Sequence, residues 1–393
     1  MIIEPKIRGF ICTTAHPVGC LENIKKQINF IKAQPEFKTK KNVLIIGCSQ
    51  GYGLSSRIAC AFSKTKSSTI GVMLERLAND KKTASAGFYN TTAFEKIAKN
   101  ENIYAKTINS DAFLKSTIDK TINLIKNDLK KVDLIIYSLA APRRVMPNSK
   151  IISSVLKTIG EPFSEKTINL QNKQIEQTTI NPATEQEIEN TIKVMGGENW
   201  FNWIQELKKA DAISNDALTI SYSYIGPQLT FPIYKNGTIG KAKQNLYQTA
   251  KKIEQKLNIK ALISINKALV TQASSAIPIV PLYLAILYKI MKKHNTHEGC
   301  IEQMYRLFAK KIDFKNKKLH TDNNGLIRLD DYELAPNVQK EVQNAWKNIN
   351  NENLNKFADL DGYFKEFENL FGFGLKNVNY NENVNQIIEL TPV

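Results

Sequence analysis

The 393-residue chain predicts an α/β protein built on a doubly wound parallel sheet with helices on both faces. Between residues 42 and 138, the apolar runs "NVLIIG", "TIGVMLE", "IYAKTINSDA" and "VDLIIYS" are separated by stretches of helical length. That rhythm is expected of parallel strands joined by crossover helices. The first run passes directly into "GCSQGYGLSSRIACAF", where Gly47, Gly51 and Gly53 punctuate a turn and Leu54, Ile58, Ala59 and Phe62 recur at helical spacing.

A strand, a glycine turn and a helix suit a dinucleotide pyrophosphate, so the sheet is expected to be Rossmann-type. Residues without side chains let backbone N–H groups and the positive helix end approach the phosphates. The next strand ends at Glu75, about twenty residues after the last glycine, where a carboxylate accepts hydrogen bonds from ribose hydroxyls. Such a carboxylate repels a 2'-phosphate and favours NADH over NADPH, whereas Lys81 and Lys82 stand near enough in sequence to oppose that preference.

From 140 to 217 the alternation lapses into a loop containing "PRRVMPNSK", a hairpin and then helices, an insertion expected to form a lid or substrate wall beside the strand ends. The strand pattern resumes in "ALTISYSYIGP" and "IKALISINKALVTQASSAIP", and a hairpin-like "GLIRLDDYEL" precedes amphipathic helices that end near "FENLFGFG". With no tandem repeat and no low-complexity linker, residues 1–393 are expected to form one elaborated domain.

In "IYKNGTIGKAK", Ile239, Ala242, Leu246, Ala250, Ile253 and Leu257 predict an amphipathic helix that starts near Thr238 or Ile239. At about 100° per residue, Tyr234 and Lys243 would point apart on one helix. Tyr234 must therefore precede the helix, with Asn236 and Gly237 folding the chain back. Lys243 could then reach cofactor ribose hydroxyls and lower the phenol's pKa, leaving Tyr234 ready to donate a proton or stabilise an oxyanion. Lys241 is a competitor for that role. Tyr224 ends a predicted strand on the side of the glycine turn, where doubly wound sheets place their chemistry. Tyr222, assigned to the opposite face, is expected to pack.

Composition narrows the class without choosing the function. A charge of +17, from 54 Lys+Arg against 37 Asp+Glu, could steer nucleic acid, an acidic carrier protein or a phosphorylated substrate. The lysine pairs, such as Lys40–Lys41, Lys130–Lys131 and Lys251–Lys252, are scattered rather than gathered, which argues for solvated surface and against nucleic-acid binding. Five cysteines and no secretory-type N-terminus fit a reducing cytoplasm. The apolar window at 276–291 carries Pro278 and Pro281 and falls short of the ~20 residues that span a bilayer, so it predicts a buried helix, and no membrane partner is expected. "HEGC" at 297–300 has no second pair with zinc-ligand spacing, so no metal is expected.

Taken in order, "RGFICTTAHPVGC", "IGCSQGYGLSSRIA", "YSYIGP", "YKNGTIGKAK", "VTQASSAIP", "THEGCIEQMYRLF" and "LFGFG" make the chain similar over nearly its whole length to the FabV-type trans-2-enoyl-ACP/CoA reductases, enlarged relatives of the short-chain dehydrogenases. A tyrosine and a lysine separated by eight residues characterise that family, and Tyr234 and Lys243 have this separation. The resemblance implies NADH-dependent reduction of enoyl thioesters on acyl carrier protein or coenzyme A, the last step of the fatty acid elongation cycle, without a flavin. It also implies that Gly47, Cys48, Ser49, Gln50, Gly51 and Tyr52 line the pyrophosphate, that Leu74 and Glu75 meet the adenosine ribose, and that Asp111 and Ala112 flank the adenine. Leu139 and Ala140 would lie near the nicotinamide half, and Val270, Thr271 and Gln272 would complete the cofactor site. Tyr224 would contact the substrate thioester, Tyr234 would donate the proton, and the 276–291 helix would line an acyl channel.

Lys235, where the family has a neutral residue or histidine, and the basic "PRRVMP" depart from the pattern and could alter affinity for an acidic carrier or a coenzyme A phosphate. The alternative within enzymes is a short-chain dehydrogenase acting on a ketone or alcohol. Nothing in the sequence demands more than a monomer.

Overall fold

The computed structural model describes residues 1–9, 11–146, 148–316 and 318–391. Strands β1 (Asn42–Ile46), β2 (Ser68–Met73), β3 (Ala105–Asn109), β4 (Val132–Tyr137), β5 (Ile213–Ser223), β6 (Lys260–Ile265) and β7 (Ile327–Arg328) form a seven-stranded sheet. Its order is β7-β6-β5-β4-β1-β2-β3, and every neighbouring pair is parallel. The order reverses between β1 and β4, the switch point at which doubly wound sheets open a crevice. The predicted Rossmann-type sheet is thus present, and each sequence run named as a strand supplies one.

Side-chain alternation explains why both faces are covered. In β1, Val43 and Ile45 enter one apolar core while Leu44 and Ile46 enter the other. The first core also holds helices α1 (Pro17–Ala33), α2 (Gly51–Ala61) and α3 (Ala86–Asn100). The second holds α4 (Lys115–Leu124), α5 (Glu198–Lys209) and α6 (Thr238–Leu257). Helix α6 begins where the periodicity placed it, and Ala242, Leu246, Ala250, Ile253 and Leu257 face the core.

The irregular stretch after β4 is shorter than the sequence pattern suggested. It holds two hairpins, Arg143–Val145 with Ile151–Ser153 and Phe163–Ile168 with Ile175–Ile180, and the helix Glu185–Met195. Helix α5, by contrast, is an ordinary crossover helix: Trp200 and Trp203 are fully buried against the sheet, and β5 starts at Ile213. Two tryptophans and the surrounding amides had masked this apolar stripe.

"GLIRLDDYEL" is not a hairpin. Ile327–Arg328 adds to β6 in parallel, and Arg328 is then held by Asp330 (2.8 and 2.6 Å) and Asp322 (3.3 Å), which turns the chain away. The apolar window forms helix α7 (Val280–Lys293), wholly buried from Val280 to Tyr288 and covered by α8 (Pro336–Asn348) and α9 (Leu360–Asn369). No helix among the described residues is long and apolar enough to cross a membrane.

Candidate active site

The glycine turn forms a close-packed cradle. Gly47 has φ +84°, and a Cβ there would meet the Ser138 carbonyl oxygen at 2.4 Å. A Cβ on Gly53 would sit 1.9 Å from the Gly47 oxygen. No side chain caps the N-terminus of α2, and its first turn carries no acid. Its free N–H groups and helix dipole therefore suit an anion such as a pyrophosphate. The Cys48 thiol lies in van der Waals reach of the Arg57 guanidinium beneath the turn and is pushed up to about 11 by burial, so only its backbone is available to a ligand. Tyr52 reaches out of α2 to donate its hydroxyl to the Lys267 carbonyl (2.5 Å).

The other sequence-selected residues follow the carboxyl ends of successive strands, as parallel sheets arrange their sites. After β2, Glu75 accepts the Ser49 hydroxyl at 2.6 Å, and Asn109 brackets its backbone with bonds of 2.8 and 2.9 Å. Leu74 stands exposed beside it, whereas Lys81 and Lys82 are bound through their backbone N–H groups to Asn79 in a separate turn. After β3, Asp111 accepts the Phe113 N–H, and the Ala112 carbonyl accepts Trp203 Nε1 at 2.9 Å. Leu139 and Ala140 follow β4. After β6, Val270 N–H donates to Tyr288 (2.9 Å), and Thr271 caps a short helix that begins at Gln272.

Tyr224 lies just past the end of β5, and Tyr234 sits in the turns before α6. Their rings meet edge to face, with centroids 4.8 Å apart. The first turn of α6 packs directly on the tyrosine's backbone, because Gly240 has no side chain: a Cβ there would lie 2.4 Å from the Tyr234 oxygen. Tyr222 packs as expected, bonded to Ser56 at 2.5 Å, but residues two apart on a strand share a face. What separates it from Tyr224 is the end of the strand at Ser223, after which the chain leaves the sheet.

Electrostatics corrects one expectation. Although their rings keep partial exposure, Tyr234 and Tyr224 both have hydroxyls whose pKa desolvation raises, with the Glu333 charge adding to the effect. Lys243 does not lower the phenol here: its own pKa falls to about 8 on burial, and its Nζ donates to the Tyr222 carbonyl at 3.2 Å. Lys235 stays exposed with its Nζ 4.5 Å from the Phe231 ring centre, and Lys241 is exposed.

Three groups that the sequence reading did not select join the site from distant segments. Glu333, fully buried, accepts the hydroxyls of Tyr224 (2.8 Å) and Tyr283 (2.6 Å) and the Ala268 N–H (2.7 Å). Lys267 is buried beside them, with its Nζ 4.9 Å from the Tyr288 ring centre. In "LDDYEL" nothing marks Glu333 apart from Asp330 and Asp331, so no local signal could have found it. "HEGC" is accounted for by packing: His297 bonds Glu366 at 3.2 Å, and among the described residues no cluster could hold a metal ion.

A doubly wound sheet with a glycine cradle after its first strand and paired tyrosines past its fifth defines the class of dinucleotide-binding oxidoreductases. The family described as the trans-2-enoyl-CoA reductase catalytic region matches residues 82–313, its NAD(P)H binding domain matches 2–80, and an "enoyl reductase FAD binding domain" matches 321–384. The trans-2-enoyl-CoA reductase [NADH] of Ruminiclostridium cellulolyticum is 50% identical over 98% of both chains. The enoyl-[acyl-carrier-protein] reductase [NADH] of Flavobacterium psychrophilum is 50% identical over 100% of both. The crystal structure of the Clostridium acetobutulicum trans-2-enoyl-CoA reductase in complex with NADH superposes with TM-score 0.96 at 44% identity, covering 100% of each chain. The chain belongs to the trans-2-enoyl-CoA reductase family. In the segment matched by the FAD-named domain, the described residues form a two-residue strand and helices packed on α7, with no glycine turn leading from strand to helix.

Proposed function

We propose that the protein reduces the trans-2 double bond of enoyl thioesters with NADH, on coenzyme A or acyl carrier protein, without a flavin. The observation that carries this reading is the placement of the glycine cradle and the Tyr224–Tyr234 pair on the same carboxyl edge of one sheet. The names of full-length relatives at 50% identity, which specify NADH and both carriers, support it.

Gly47 to Tyr52 would hold the pyrophosphate through backbone N–H groups, Leu74 and Glu75 the adenosine ribose, Asp111 and Ala112 the adenine end, and Leu139 and Ala140 the nicotinamide half, with Val270, Thr271 and Gln272 completing the site. When bound, NADH supplies the hydride that the conjugated thioester accepts at C3. Reduction leaves an enolate whose oxygen needs a donor and whose C2 needs a proton. Tyr234 keeps its hydroxyl proton at neutral pH, so it donates a hydrogen bond to that oxygen and can pass the proton on. Tyr224, whose ring meets that of Tyr234 edge to face, contacts the thioester beside it. Lys243, at the start of α6, serves the ribose hydroxyls, and the buried face of α7 lines the acyl channel.

The test is NADH consumption with crotonyl-CoA beside 3-ketoacyl-CoA. Turnover of the enoyl substrate alone is the expected result. Activity confined to the ketone would assign the chain to carbonyl reduction.

A further inference from the structure

Glu333 enters the site from the C-terminal third of the chain, and among the described residues each side chain or backbone group hydrogen-bonded to its carboxylate is a donor. Oε1 takes the Tyr224 and Tyr283 hydroxyls, and Oε2 takes the Ala268 N–H. Gln339 secures the arrangement from α8, donating to the Glu333 carbonyl at 2.6 Å and to the Tyr283 oxygen at 3.4 Å. The Tyr224 hydroxyl also lies close to the backbone at Gly226, where a Cβ would come within 2.9 Å of its oxygen. A phenol has one proton to give. Once that of Tyr224 goes to Glu333, none remains for a thioester oxygen.

Resting on the enoyl-reductase reading above, we propose that Glu333 is a positioning residue: by accepting the Tyr224 hydroxyl it makes that phenol an acceptor on the substrate side and leaves Tyr234 as the single hydroxyl donor of the pair. Two phenols with rings 4.8 Å apart could otherwise compete for the same oxygen. Glu333 removes the competition and fixes the Tyr224 ring. Glu333→Gln keeps the size but has one carbonyl oxygen for two sets of donors. With that oxygen toward Ala268 N–H, its NH2 faces the phenols, donates to them and reverses the Tyr224 bond.

The experiment measures kcat and KM with NADH and crotonyl-CoA for the wild type, Glu333→Gln, Tyr224→Phe and the double variant. Glu333→Gln is expected to lower kcat by about tenfold or more while KM stays within about twofold. In the Tyr224→Phe background the same change should alter kcat by less than about twofold, because the hydroxyl it acts on is gone. Equal losses in both backgrounds are what a merely structural role gives, and they would overturn the proposal.

A pH profile supplies the second readout. The carboxyl group must be ionised for both of its oxygens to accept, and the groups near it are Tyr224, Tyr283, Tyr234, Tyr52 and Lys267, together with the Ala268 N–H, while Gln339 holds its backbone carbonyl. Tyr283→Phe removes one donor, favours the protonated acid, and should shift the acidic limb of kcat to higher pH. If Glu333→Gln does not fold, this variant decides: an unmoved limb overturns the proposal. Absence of turnover in the wild type would instead count against enoyl reduction itself and remove this inference with it.

Discussion

At Tyr234, desolvation and the Glu333 charge both favour the neutral phenol. The phenol therefore keeps its proton, which suits the proposed role of hydrogen-bond donor and proton source rather than that of a preformed tyrosinate. Tyr234→Phe is expected to lower kcat/KM for crotonyl-CoA by roughly a hundredfold to ten-thousandfold, with NADH affinity unchanged by fluorescence titration. An unaffected rate would move the donor role elsewhere. Lys243 makes a different prediction. Its pKa is about 8 in the folded protein against an ordinary 10.5, so below pH 8 folding bears the cost of burying an ammonium. Between these values the unfolded chain binds the extra proton, and stability must rise with pH. Melting temperatures of wild type and Lys243→Met, compared from about pH 8 to about pH 10, should converge or cross in the wild type's favour. Parallel curves would contradict the shift. Tyr234 and Tyr224, which the structure brings ring to ring, were legible because the turn before α6 and a strand end marked them. Glu333, Tyr283 and Lys267 were not, since only tertiary packing brings them to Tyr224.

At the scale of elements, the turn between β1 and α2 shows how two glycines with one motif differ in what they demand. Gly53 lies against the Gly47 carbonyl, and because that obstacle is backbone it cannot rotate away. Gly51 has φ +56° but nothing within 4 Å of a Cβ, so a side chain there costs only the left-handed strain of about 1 kcal/mol. Gly53→Ala should therefore lower the melting temperature and weaken NADH binding by more than about tenfold, and Gly51→Ala should do much less. Equal effects would mean that the turn yields where the packing says it cannot. Strands were readable here because both sheet faces are buried, and fully apolar runs such as Val43–Ile46 have no other home. The elements misjudged were α5, whose stripe is made of Trp200 and Trp203 among amides, and β7, which is too short to show a pattern.

Across the whole molecule, the chain's two ends are tied into the nucleotide-binding half. The N-terminus of α1 meets the C-terminal segment so closely that a Cβ on Gly19 would lie 1.7 Å from the Gly372 oxygen, and the His16 N–H donates to Phe371 O at 2.9 Å. Tyr89 on α3 donates to Gln386 O at 2.7 Å, and the Thr391 N–H reaches Glu95 at 3.3 Å. That same Glu95 is buried with Arg57 (3.6 Å) beneath the glycine turn, so the tail, the ion pair and the cradle share one polar centre. Segments that share buried contacts of this kind belong to one cooperative unit and are expected to open together. Calorimetry is expected to show one transition whose calorimetric and van't Hoff enthalpies agree. NADH at about a hundred times its Kd should stabilise the whole by about 2.7 kcal/mol, shifting that transition as a unit. Two transitions, with only one moved by NADH, would show that residues 321–384 fold apart from the sheet they cover.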